Sequence, residues 1–320
     1  TSIAILNPNA VVGTTFTWTA SATNVNGASN GSGSTISQLL TSADGLTNGT
    51  VIYTITPMAN GCPGPTFNVT ATVKPVPALT NPVALFSQQI CSGEALAFNP
   101  AATIPGTTYS WVATRTANIN AASVTSAGTG NITDSPVNTN NVSGTVTYRI
   151  TPSFNGCNGL PVDLIVTVKP LPSASASSLT ICSGETGTIN ISPLPKNVAG
   201  TTFSWTATGG SNVTGYANGN GSTINQVLST TNTSMGTVTY TITPAANACN
   251  GPTTVVTVQV NPIATANAGA DFSVCQPVTI PISGTIGGAA ASGIWTVVTG
   301  SGSILGSSTS FPTPSSRSAT

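Results

Sequence analysis

One unit is copied along this chain at a period of about 92 to 95 residues, and that copying limits the fold more than any other feature. Its middle reads Gly13-Thr14-Thr15-Phe16-Thr17-Trp18, then Gly106-Thr107-Thr108-Tyr109-Ser110-Trp111, then Gly200-Thr201-Thr202-Phe203-Ser204-Trp205. A later block carries Tyr53, Tyr148 or Tyr240 and ends at Pro57, Pro152 or Pro244. A Gly/Asn-rich turn follows, with one cysteine nine residues after the tyrosine: Cys62, Cys157 and Cys249. Each copy closes with an alternating apolar run and a proline linker, VKPVP at 73–77, VKPLP at 168–172 and VNPI at 260–263. Two copies open with Ile-Cys-Ser-Gly-Glu, at Cys91 and Cys182.

These landmarks set four modules: 1–75, which lacks the Ile-Cys-Ser-Gly-Glu start; 76–170; 171–262; and a variant module at 263–320. The last has Cys275 and, 20 residues on, Trp295, the offset that separates Cys91 from Trp111. It ends without a Tyr block or a second cysteine, so the chain reads as an internal window of a longer protein. Projecting the cysteine spacing back from Cys62 puts its missing partner four or five residues before Thr1.

Every recurring segment reads as a strand. Val238, Tyr240 and Ile242 alternate with threonines, a period of two with β-branched filler. Asn-Gly pairs such as Asn155-Gly156 and Asn250-Gly251 supply tight hairpin turns. About 93 residues with six or seven short strands and a Trp in the third describe an immunoglobulin-like β-sandwich. The fold class is therefore all-β, tandem sandwiches joined by short proline linkers into an extended rod, with a module every 35–45 Å or so.

Composition then removes whole classes of function. Only 4% of residues are charged, there is no histidine and the formal charge is zero, so nothing draws the chain to nucleic acid or an anionic membrane. No apolar run approaches the ~20 residues that span a bilayer. A Ser or Cys nucleophile lacks an imidazole base, Lys196 is the one lysine inside a module body, and no Cys-x-x-Cys pair suggests zinc. The Gly-rich stretch 217–222 has no lysine after it to make a phosphate loop. Catalytic and cofactor residues are thus expected to be none. Calcium would need converging carboxylates, to which Asp134 or Asp271 could contribute, but the six acids are scattered. Glu94 and Glu185 read as turn chemistry. Trp18, Trp111, Trp205 and Trp295, with Tyr53, Tyr148 and Tyr240, read as core aromatics rather than sugar-stacking platforms.

The ordered set Ile-Cys-Ser-Gly-Glu, Thr-Tyr-Ser-Trp, Val-Thr-Tyr-x-Ile-Thr-Pro, Asn-Gly-Cys and Thr-Val-x-Pro resembles the PKD-like repeats of giant Bacteroidetes surface proteins, the gliding-motility adhesins exported by type IX secretion among them. The resemblance covers residues 1–262, and 263–320 is similar to a second module type of such proteins. It implies a cell-surface location, β-sandwich modules and a structural or adhesive role as stalk, spacer or filament. The implied partners are neighbouring modules of the same longer chain, other copies in a filament, and surface polysaccharide or an abiotic surface. The competing reading is a carbohydrate-binding or accessory array of a secreted hydrolase, which exposed tryptophans would favour.

Two cysteines per module in a chain that looks extracellular suggest oxidation. The default pairing is within modules, Cys91–Cys157 and Cys182–Cys249, leaving Cys62 and Cys275 to partners beyond the ends. Closing such a loop stabilises by roughly 4 kcal/mol in the chain-entropy model. The alternative is a cross-module Cys91–Cys249 staple, because a seven-strand sandwich puts the two cysteines of one module at opposite ends, beyond the ~7 Å limit on Cα separation.

Overall fold

The computed structural model describes residues 2–273, 275, 280–296, 299, 304–305, 310–311 and 315–319. Those residues hold no α-helix, only strands and two short 3-10 turns at Val83–Phe86 and Ala121–Ser123. The chain divides into two compact units, Thr1–Lys169 and Pro170–Thr320.

The first unit contains two sandwiches, each with its own apolar core. In the first, a Trp strand (Thr15–Thr23) runs antiparallel to a Tyr strand (Gly49–Ala59), which pairs in turn with a closing strand (Phe67–Val73). The register sets Trp18 opposite Ile55 and Ala20 opposite Tyr53. A two-stranded ribbon, Ser2–Ala4 with Thr35–Ser37, forms the second layer and brings in Ile36. The second sandwich repeats this with Trp strand Thr108–Arg115, Tyr strand Gly144–Phe154 and closing strand Val162–Lys169. It adds an opening strand, Ser87–Cys91, which lies parallel to the closing strand with Cys91 beside Lys169. Phe98 and Ile132 bridge across its facing layer. The linker between the two is seated rather than loose: Pro75 and Pro77 are buried, and the Lys74 ammonium donates to the Asn155 carbonyl at 2.8 Å.

The second unit opens with the third sandwich. Its opening strand (Leu179–Cys182) is parallel to the closing strand (Thr254–Asn261), which pairs with the Tyr strand (Gly236–Ala246) and so reaches the Trp strand (Thr202–Gly209). Thr186–Asn190 and Thr223–Val227 make the facing ribbon. Beyond it, Ala264–Asn267 pairs with Ile280–Gly288.

The alternation that marks these strands follows from burial. Val238, Tyr240 and Ile242 are at most 1% exposed, while the threonines between them meet the partly exposed face. Each Tyr strand runs two residues past its Thr-Pro, further than the sequence blocks end. The proline does not stop it, because its carbonyl still accepts: Gly64 N–H to Pro57, Gly159 N–H to Pro152 and Gly251 N–H to Pro244, at 2.8–2.9 Å.

Candidate functional site

The repeated aromatic residues lie inside the modules. Trp18, Trp111 and Trp205 are 7%, 6% and 7% exposed, and Tyr53, Tyr148 and Tyr240 no more than 1%. Trp295 is half-buried. The indole N–H of Trp18 donates to Ser29 O and that of Trp205 to Ala217 O, both at 3.2 Å, while the N–H of Trp111 is buried without an acceptor. The edge of Trp111 meets Tyr148, ring centroids 5.6 Å apart.

Opposite each indole sits a glycine that sequence reasoning did not single out. Gly31, Gly128 and Gly219 pair across the strand with Trp18, Trp111 and Trp205. A Cβ at Gly31 or Gly219 falls 2.5 Å from the indole Cζ2, and one at Gly128 collides with the same atom. The spacing from Trp to this glycine varies between copies (13, 17 and 14 residues), which hid it. Gly284 packs against Trp295 in the same manner.

Each tyrosine hydroxyl is anchored at 2.7 Å to one position of the facing layer: Tyr53 to Gln38, Tyr148 to Asp134 and Tyr240 to Gln226. Burial pushes all three phenols up, Tyr240 to about 12, and the Asp134 carboxylate raises Tyr148 further. Asp134, a residue considered for calcium, also accepts from the Thr125 hydroxyl (2.7 Å) and the Thr125 N–H (3.0 Å), so donors occupy both its oxygens. Asp271 is exposed, and no cluster of three metal-ligating side chains occurs among the described residues. Asp44 stays well below the usual carboxylate range because the hydroxyl and N–H of Thr47 and the N–H of Leu46 converge on it. Asp163 and Arg149 form an exposed ion pair at 3.4 Å, a geometry that contributes little.

The Cys-Ser-Gly-Glu motif is a β-turn in both copies. Glu94 N–H donates to Cys91 O and Glu185 N–H to Cys182 O, with Gly93 and Gly184 at φ +80° and +88°, the left-handed value a type II turn needs at that position. The glutamate carboxylate reaches back to the cysteine N–H at 2.8 Å in each. The serine hydroxyl accepts from Asn138 N–H or Thr230 N–H, which ties the turn to the facing layer.

The within-module cysteine pairing is not formed. Cys91 and Cys249 are disulfide-bonded, whereas Cys157 and Cys182, with Cys62 and Cys275, are free thiols. Strand register explains it. Cys91 lies beside Lys169, at the end of the sheet where the Tyr strand starts, while Cys157 pairs with Phe154 at its other end. Ten residues of strand separate the two levels, on the order of 30 Å against a bridging limit of ~7 Å. The third sandwich repeats this, with Cys182 beside Asn261 and Cys249 opposite Ala246.

Two grooves among the described residues are open and more apolar than polar in lining. One of about 520 Å³ lies along Thr202, Phe203, Asn220 and Ala245, and holds no acid, base or thiol. Another, of about 320 Å³, is formed by Leu6, Val11, Met58, Gly64 and Phe67 of the first sandwich.

A family model described as a PKD-like domain matches residues 3–77, 88–172 and 179–264. No curated protein matches the chain. Among solved structures, the I67-I69 fragment of titin is 11% identical over 78% of this chain and 89% of its own, with a TM-score of 0.33. The FN1-FN3 domains of chicken CNTN1 are 10% identical over 80% and 91%, TM-score 0.27. The IG1+IG2 pair of DIP-gamma is 11% identical over 58% and 98%, TM-score 0.28.

Proposed function

This chain belongs to the PKD-like domain family, in three tandem copies, and from that membership we propose that it is a non-catalytic spacer or adhesive segment of a large extracellular protein. One observation carries the reading: apart from the hairpin cysteines, the side chains that recur in every copy are taken up in holding each module together. The indoles fill cores, the tyrosine hydroxyls cross-link layers and, in two copies, Cys-Ser-Gly-Glu closes a turn. What is repeated is thus architecture, not a reactive centre. Tryptophans at 6–7% exposure offer no stacking face to a sugar ring, which supports a spacer over a carbohydrate-binding array. Two disulfide-bonded cysteines support an oxidising, extracellular location. We place the array with the Bacteroidetes surface adhesins whose motif order it resembles, where it displays terminal domains or joins a filament.

Single-molecule stretching under reducing conditions tests this. A mechanical spacer of separately cored modules yields three successive steps, each releasing roughly 250–300 Å of chain at ~3.5 Å per residue. Saturable binding to a glycan panel, or release of everything in one step, would sink the proposal.

A further inference from the structure

Cys91 ends the opening strand of the second sandwich, and Cys249 lies in the hairpin that follows the Tyr strand of the third. Their disulfide therefore closes one covalent loop over residues 92–248, close to half of the chain. Inside it lie the Trp, Tyr and closing strands of the second sandwich (Thr108–Arg115, Gly144–Phe154, Val162–Lys169). The opening, Trp and Tyr strands of the third (Leu179–Cys182, Thr202–Gly209, Gly236–Ala246) lie inside it too. Outside are the opening strand that leads to Cys91, the closing strand Thr254–Asn261 and the whole first sandwich. Cys62, Cys157, Cys182 and Cys275 are free thiols, so no second bridge subdivides the loop.

That connectivity alone decides where tension runs. A pull on the two ends of the chain follows the shortest covalent path. With the disulfide intact, the path enters along Ser87–Cys91, crosses the sulfur–sulfur bond and leaves along 249–261. Residues 92–248 hang from it as a closed loop and carry no load along their backbone, even with every strand in them unfolded. Peeling away Ser87–Cys91 or Thr254–Asn261 releases only those stretches and their linkers, roughly 50 Å apiece at ~3.5 Å per residue. A bridge kept within one module would shield that module alone. The offset between Cys91 and Cys249 puts most of two modules behind a single bond.

We propose that the Cys91–Cys249 disulfide is a redox-operated lock on extension. Oxidised, it fixes the reach of the second and third sandwiches under load; reduced, it lets both extend as separate modules. A dithiol supplies the two electrons. Its thiolate attacks one sulfur of the bridge and displaces the other as a thiolate, and its second thiol then resolves the mixed disulfide. The products are two cysteine thiols, which take up the protons of the dithiol, and the cyclic disulfide of the reagent. The lock rests on the spacer reading, because only a load-bearing segment has an extension to regulate.

Pulling single molecules of the full chain by their ends, before and after a dithiol, tests it. The reduced chain should release roughly 550 Å more than the oxidised one, the length of residues 92–248 at ~3.5 Å per residue. Dithiol added to a stretched, oxidised molecule should produce a gain of that size. Cys91→Ser should give the longer release without reductant, whereas Cys157→Ser combined with Cys182→Ser should leave the lock in place. In strong denaturant, where the fold of a variant no longer matters, the oxidised parent should elute as a more compact chain than the reduced one. Cys91→Ser should show no such difference. Equal released lengths in both redox states would overturn the proposal. So would two separate shortfalls of roughly 230 Å that vanish in the Cys157→Ser, Cys182→Ser chain, the mark of bridges within modules. Fusion of the reduced steps into one would sink the spacer reading instead, and the difference in released length decides the lock by itself.

Discussion

A methyl group at Gly219 would lie 2.5 Å from Cζ2 and 2.9 Å from Cε2 of Trp205, far inside carbon–carbon contact. The ring cannot withdraw, because its N–H is held by Ala217 and its other face packs on the core. We expect Gly219→Ala to destabilise the third sandwich by about 1–3 kcal/mol, the range for overpacking, with a lower urea midpoint on the Trp205 signal; an unchanged midpoint would refute the argument. The tyrosines make a separate, pH-dependent claim. Tyr240 ionises near 12 in the folded chain, above the usual 10, because it is buried, so the native state holds its proton where the unfolded state has lost it. Its contribution is present in full below pH 10 and disappears as pH rises from 10 to 12, up to roughly 2–3 kcal/mol. Alkaline unfolding should therefore steepen across that window, and Tyr240→Phe should reduce the steepening for the third sandwich while Tyr53 and Tyr148 keep theirs. The buried amide of Asn138 is a third residue of consequence, donating to Val142 O (2.8 Å) and Val168 O (2.9 Å) from a fully buried position.

At the scale of elements, the order of strands decides which cysteines can meet. The opening strand lies parallel to the closing strand, so its cysteine rides at one pole and the hairpin cysteine at the other. Mass mapping after alkylation in denaturant should find Cys62, Cys157, Cys182 and Cys275 modified without reductant, and Cys91 and Cys249 only after reduction; early labelling of Cys91, or none at Cys157, would contradict the structure. The Trp, Tyr and closing strands were legible in the sequence because β-branched alternation and threefold copying point to the same residues. The cysteine pairing was legible only as an alternative. Spacing and number favoured partners within a module, the strand order of a sandwich argued against them, and the parallel register of Cys91 with Lys169 decides it by holding the two cysteines at opposite poles. Gly31, Gly128 and Gly219 were equally hidden, since the loops between them and their tryptophans differ in length. In the second sandwich that loop carries a 3-10 turn, and the buried Asn138 follows beyond Gly128; neither has a periodic signature. The Cys-Ser-Gly-Glu turn was readable because its chemistry is local: glycine supplies the positive φ and the glutamate reaches back three residues.

Across the whole chain, the three PKD-like copies are similar in plan but unequal in core. The first sandwich buries a cluster of seven apolar residues, the second twelve and the third thirteen. Ile90 of the second core sits on its opening strand, and in the third Leu179 and Ile181 pack on the core from theirs. A fully buried aliphatic side chain contributes about 1.5–3 kcal/mol. Seven buried over residues 2–73 is a thinner core for its length than twelve over 76–170 or thirteen over 171–262, so the first sandwich, as these residues build it, should be the least stable. Hydrogen exchange in graded urea separates the copies, because each Tyr strand is central to its sheet and reports the opening of its own module. Amides of 49–59 should lose protection first, ahead of those of 144–154 and 236–246. Simultaneous loss in all three Tyr strands would mean that the copies unfold as one body, and that burial within each module does not govern its stability.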